Sequence, residues 1–74
     1  MDISTFHFAN PKNLIVMLNI YDITGRKVRQ YETSNDKIII HNKNMPNGLY
    51  YYRFFSITNE ELISNGKIIF VKTN

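Results

Sequence analysis

The feature that most constrains this chain is the rhythm of its apolar residues. They come in short alternating runs, broken by Asn, Asp, Gly and Pro every ~8–12 residues, which is the pattern of a β-sandwich or barrel. Val16, Leu18 and Ile20 alternate with Met17, Asn19 and Tyr21; Tyr50, Tyr52 and Phe54 alternate with Leu49, Tyr51 and Arg53. Successive side chains on a strand point to opposite faces, so each set separates one buried row from one outward row. Nowhere do apolar residues recur at helical spacing over three turns. Residue types agree with this: Ile, Val, Tyr, Phe and Thr abound and Ala occurs once, at Ala9. β-Branched and aromatic side chains suit a pleated, half-buried surface.

Along the chain the pattern predicts a strand over residues 4–8, with Phe6 and Phe8 on one face, and a turn over residues 10–13, where Pro11 presets φ. The strongest strand covers residues 14–22. Gly25 closes a tight turn, because positive φ is cheap only for glycine. Residues 27–33 then form the hairpin partner, with Val28 inward and Lys27 and Arg29 sharing a face. Further strands are expected over residues 37–41, 49–56 and 61–71, with a longer connection over residues 42–48. Asn65-Gly66 interrupts the last of these in one of two ways. Asn-Gly is a strong hairpin signal and would split the region into two paired strands; alternatively Gly66 is a bulge in one continuous strand. Either way the expectation is one domain over residues 1–74, an antiparallel sandwich of about six to seven strands.

The chain has 74 residues and no cysteine. A domain of this size buries only ~60% of its unfolded surface, and neither a disulfide nor a thiolate metal site is available to brace it. The net charge is +3; residues 1–37 hold five basic and four acidic residues, residues 38–74 four and two, so charge is spread along the sequence. Arg26, Lys27 and Arg29, with Tyr21 and Tyr31 nearby, make too small a basic cluster to indicate nucleic-acid binding. His7 and His41 have no partner at ligand spacing, so no metal or cofactor is expected. No Ser/His/Asp set and no phosphate loop is readable, and Glu60 and Glu61 are neighbours that would face opposite sides of a strand. The expected class is therefore not an enzyme and has no small-molecule substrate. Asp2 stands where a signal peptide would be basic, and the longest apolar run, residues 14–18, falls short of the ~20 residues of a membrane helix.

Three segments then stand out in order. The first is Leu18-Asn19-Ile20-Tyr21-Asp22-Ile23-Thr24-Gly25-Arg26-Lys27-Val28, the second Met45-Pro46-Asn47-Gly48-Leu49-Tyr50-Tyr51-Tyr52-Arg53, and the third Gly66-Lys67-Ile68-Ile69. Together they resemble the C-terminal sorting domain of type IX (Por) secretion cargo in Bacteroidetes, over residues 4–71. The resemblance implies an immunoglobulin-like sandwich that an outer-membrane translocon recognises and a cell-surface sortase then cleaves from its cargo. It implies export through the periplasm to the cell surface as part of a larger cargo, although this chain carries no signal peptide. The family opens with a Tyr-Pro-Asn-Pro segment, whereas this chain begins Met1-Asp2-Ile3, so a sandwich lacking the family's first strand is expected. An open sheet edge would follow, and with it pairing into a homodimer.

Within the motifs, Asp22 brackets the hairpin as an Asx residue, Gly25 and Gly48 serve turns, and Gly66 is the interruption described above. Tyr50 belongs in the core with its hydroxyl reaching backbone, as a corner tyrosine does. Arg26 is either a solvated side chain or a fork for the secretion machinery; Lys67 either faces the translocon or keeps a strand edge soluble. Tyr51 and Leu49, on the opposite face, form either the inner face of a second layer or part of an apolar, partner-facing patch. The competing function is a generic immunoglobulin- or fibronectin-like interaction module for adhesion or carbohydrate contact.

Overall fold

Alternation of apolar residues carries directly into structure. The computed structural model describes residues 3–71, in which six strands form: β1 (Ile3–His7), β2 (Val16–Tyr21), β3 (Lys27–Thr33), β4 (Lys37–His41), β5 (Gly48–Ser56) and β6 (Glu61–Phe70). Every pairing is antiparallel. One sheet has the order β3-β2-β5-β6 and the other is the pair β1-β4. The described residues contain no helix, and the two sheets form an all-β sandwich.

The buried rows are those the alternation marks. Val16, Leu18 and Ile20 of β2, Ile38 and Ile40 of β4, and Tyr50 and Phe54 of β5 make one core with Met45 and Phe70. Phe6 and Phe8 bring β1 onto that core. Phe6 meets Phe54 edge-on with ring centroids 5.1 Å apart, and Phe8 meets it at 4.7 Å, the separations that aromatic pairs favour.

Two bulges depart from strict alternation. Ile20 pairs with Arg29 but Tyr21 pairs with Lys27, which leaves Val28 without a partner. A bulge puts two residues of one strand opposite one of its neighbour and turns the chain locally. Val28 therefore packs on the core and Arg29 also lies on the Ile20 face, while Lys27 lies beside Tyr21 on the other. The expectation that Lys27 and Arg29 share a face is corrected: one extra residue shifts the parity. Arg29 instead ties the sheets together, donating from Nε to the His41 carbonyl (3.3 Å) and from Nη2 to the Lys43 carbonyl (2.8 Å). Tyr31 adds its hydroxyl, which accepts from the His41 N–H at 3.1 Å.

The second bulge settles the Asn65-Gly66 question. β6 runs through both residues as one strand, and the unpaired position is Ile63, between the pairs Phe54–Ser64 and Phe55–Leu62. Gly66 sits on a regular rung opposite Tyr52. It is glycine because the Tyr52 ring lies against it: a Cβ there would fall 2.9 Å from Tyr52 Cε1. That ring is held by Phe6, 5.9 Å away, and by the Ser64 hydroxyl, 3.2 Å from its own. Gly66→Ala should therefore displace a packed ring and lower stability by about 1–2 kcal/mol, the usual cost of overpacking. Urea unfolding checks it; an unchanged midpoint would show that the ring yields freely.

Asn10 fastens the opposite end. Its Oδ1 accepts from the Leu14 N–H, and its Nδ2 lies at hydrogen-bond distance from the carbonyls of Leu14, Ser34 and Asn35. One side chain thus joins the β1–β2 connection to the β3–β4 turn. β1, β3, β4 and β6 each have a strand neighbour on one side only among the described residues.

Candidate functional site

Strand register decides where the three motifs go. Tyr21 pairs with Tyr51, and Tyr51 pairs with Lys67 on its other side. The β2–β3 hairpin, the start of β5 and the end of β6 therefore lie at the same end of the four-stranded sheet. Segments 18–28, 45–53 and 66–69 are far apart in sequence and converge here.

The hairpin is built on Asp22. Its carbonyl accepts from the Gly25 N–H at 3.0 Å, and its N–H donates to the Arg26 carbonyl at 2.9 Å. Gly25 takes φ of 89°, which completes a three-residue hairpin with a glycine bulge. Asp22 Oδ1 accepts from the Thr24 N–H, the Thr24 hydroxyl and the Arg26 N–H, and Oδ2 lies 3.4 Å from Arg26 Nε. The Thr24 hydroxyl is the main reason that the Asp22 carboxyl titrates below its ordinary value; some loss of hydration opposes it, and the backbone donors and the Arg26 charge add to it. The aspartate is thus spent on the turn. The Arg26 side chain remains 79% exposed, steered by Asp22 through Nε.

The second motif is fixed by Tyr50. It is buried against Phe70, with centroids 5.3 Å apart, and its hydroxyl donates to the Pro46 carbonyl at 2.6 Å. Gly48 opens β5 with φ of 146°, a conformation closed to side chains bearing Cβ. Met45 is buried beneath this connection. Between hairpin and connection lies a groove of about 360 Å³ lined by Arg26, Lys27, Arg29, Asn44, Pro46 and Tyr50 among others.

The third motif reaches this end by register but lies outside the groove. Lys67 is exposed on the outer face beside Tyr51, and Gly66 is on the opposite face beneath Tyr52. The expected site residues thus divide. Asp22, Gly25, Gly48, Tyr50 and Gly66 shape the backbone, while Arg26 and Lys67 present charge to solvent. His7 and His41 lie at opposite ends of the β1–β4 pair.

Sequence order also conceals how charge is arranged. Arg26, Lys27, Arg29, Lys43 and Lys67 all belong to the motif end, with Asp22 the only carboxylate there among the described residues. The other end holds Glu32, Asp36, Glu60 and Glu61 against Lys12 and Lys37, and Arg53 lies exposed between the two ends, opposite Asn19 and Asn65. Charge spread along the chain becomes a positive and a negative pole in the fold. The signal was present in the strand directions: once hairpins are assigned, each charged residue can be placed at one end or the other.

The profile of the secretion system C-terminal sorting domain family matches residues 2–72. The chain belongs to that family, the sorting domains of type IX secretion, and so to the proteins that engage that export machinery. Nothing among curated proteins or solved structures matches it significantly.

Proposed function

We propose that this chain is a non-enzymatic sorting signal whose positive end is read by the type IX translocon, and that a surface sortase then cleaves it from its cargo. The cargo passes through the periplasm to the cell surface. The observation that supports this reading most is the convergence of the three family motifs at one end of one sheet. Of the seven expected site residues, five hold the backbone in place and two carry exposed cations, the division of labour expected of a rigid surface that another protein reads. A generic immunoglobulin- or fibronectin-like module would not require three separate motifs to meet.

The test is a reporter fused ahead of residues 1–74, behind a signal peptide, in a type IX-competent bacterium. The reporter should reach the cell surface, and Arg26→Glu with Lys67→Glu should hold it in the periplasm while the domain stays folded. Periplasmic retention of the unaltered fusion would sink the reading.

The open edge of β6 also supports pairing with a second copy, because an unpaired strand offers a row of free backbone groups. Sedimentation at high concentration should show a dimer; a strictly monomeric species counts against it.

A further inference from the structure

We propose that the positive end of the sandwich docks on an anionic lipid surface. The three most exposed large aliphatic side chains of the described residues are Ile23 (72%), Ile69 (71%) and Val71 (66%). All belong to the motif end: Ile23 in the β2–β3 hairpin, Ile69 on the last rungs of β6, and Val71 just beyond it. They stand among Arg26, Lys27, Arg29, Lys43 and Lys67, while the far end carries four carboxylates and two lysines, with Arg53 midway along the sheet. A domain charged in this way turns its positive end toward a negative surface as it approaches.

The pairing of cations with protruding aliphatics selects the occupant. An acidic protein surface answers the cations but must also supply a matched apolar site for each of three side chains on separate elements. A fluid lipid surface accepts both without shape matching: headgroups take the cations, and the acyl boundary takes apolar groups to a depth of about 5–10 Å. Exposing aliphatic side chains has no role in the hairpin itself, whose hydrogen bonds come from Asp22, Thr24, Gly25 and Arg26. The inference stands on charge and exposure at this end and does not rest on recognition by a translocon.

Vesicles of equal parts phosphatidylglycerol and phosphatidylcholine test it by co-sedimentation. The protein should bind them, bind pure phosphatidylcholine vesicles far less, and release as salt shortens the screening length. Each cation near such a surface is worth roughly fivefold in binding, so Lys27→Glu with Lys67→Glu should weaken it by about twentyfold or more. Lys12→Glu with Lys37→Glu lowers the net charge equally but at the other end, and should weaken it much less. Ile23→Ser with Ile69→Ser should weaken it at least about tenfold, and by about a hundredfold or more where both side chains are fully buried in the lipid. All six positions are exposed, and circular dichroism confirms that each variant is folded. Equal weakening by the two charge variants would overturn the proposal, as would equal binding to neutral vesicles. Capture by a polyglutamate-coated surface without vesicle binding would assign the end to an acidic protein and overturn it as well.

Discussion

Phe54→Ala should remove a large part of this chain's stability. Phe54 is 2% exposed and lies at the middle of β5, paired with Leu18 on one side and Ser64 on the other. Phe6 of β1 and Phe8 just beyond it both rest on its ring. Its removal therefore empties the contact between the two sheets as well as a core position. Truncating a buried Phe costs about 3–5 kcal/mol. A domain of this length holds roughly 4–11 kcal/mol in total, so the loss consumes most of the stability at the lower end of that range. Phe54→Leu, which keeps most of the volume, should cost less than about 2 kcal/mol. Urea unfolding followed by far-ultraviolet circular dichroism measures both. A loss below about 1 kcal/mol for Phe54→Ala would mean that the β1–β4 pair is not held through this ring.

How much of this was legible beforehand depends on the kind of information involved. The strands over residues 27–33 and 37–41 were readable to the residue, because turn-forming Gly25 and the Ser34-Asn35-Asp36 cluster bound them. The inward rows of β2 and β5 were readable because period-two alternation reports directly which side is buried. Bulges were not, since nothing local at Val28 or Ile63 marks either as a residue without a partner. What makes each the unpaired residue is the position of the partner strand, which no local pattern encodes. Gly66 shows the same limit: its glycine signals an exception, but the cause is a tyrosine fourteen positions earlier in the sequence and directly opposite in the sheet. Within the site, Asp22, Gly25 and Tyr50 were legible because each acts within four residues of itself. Arg29 was not, because its carbonyl partners His41 and Lys43 belong to another sheet and the connection beyond it. Charge segregation is likewise a property of strand order.

Tyr50 joins the two levels, and its substitutions should separate them. Tyr50→Ala removes a ring that is 5% exposed and stacked edge-on with Phe70, and should cost about 3–5 kcal/mol. Tyr50→Phe keeps that ring and loses only the bond to the Pro46 carbonyl, a change worth about 1–1.5 kcal/mol. The smaller change is the more informative. Among the bonds that hold the β4–β5 connection are those of Arg29 on the Lys43 carbonyl, the Met45 N–H on the Asn42 carbonyl, and Tyr50 on Pro46. Freeing the third should let the segment around Met45 open locally while the strands stay closed. Hydrogen exchange at the Met45 amide should therefore quicken in Tyr50→Phe by more than at Leu18 or Phe54, whose amides open only with the sheet. Uniform quickening across all three would show that the hydroxyl adds to global stability alone. Selective quickening would show that it pins the wall of the groove against which Arg26 and Lys27 are set, so that a motif with no exposed charge of its own still fixes where the charges stand.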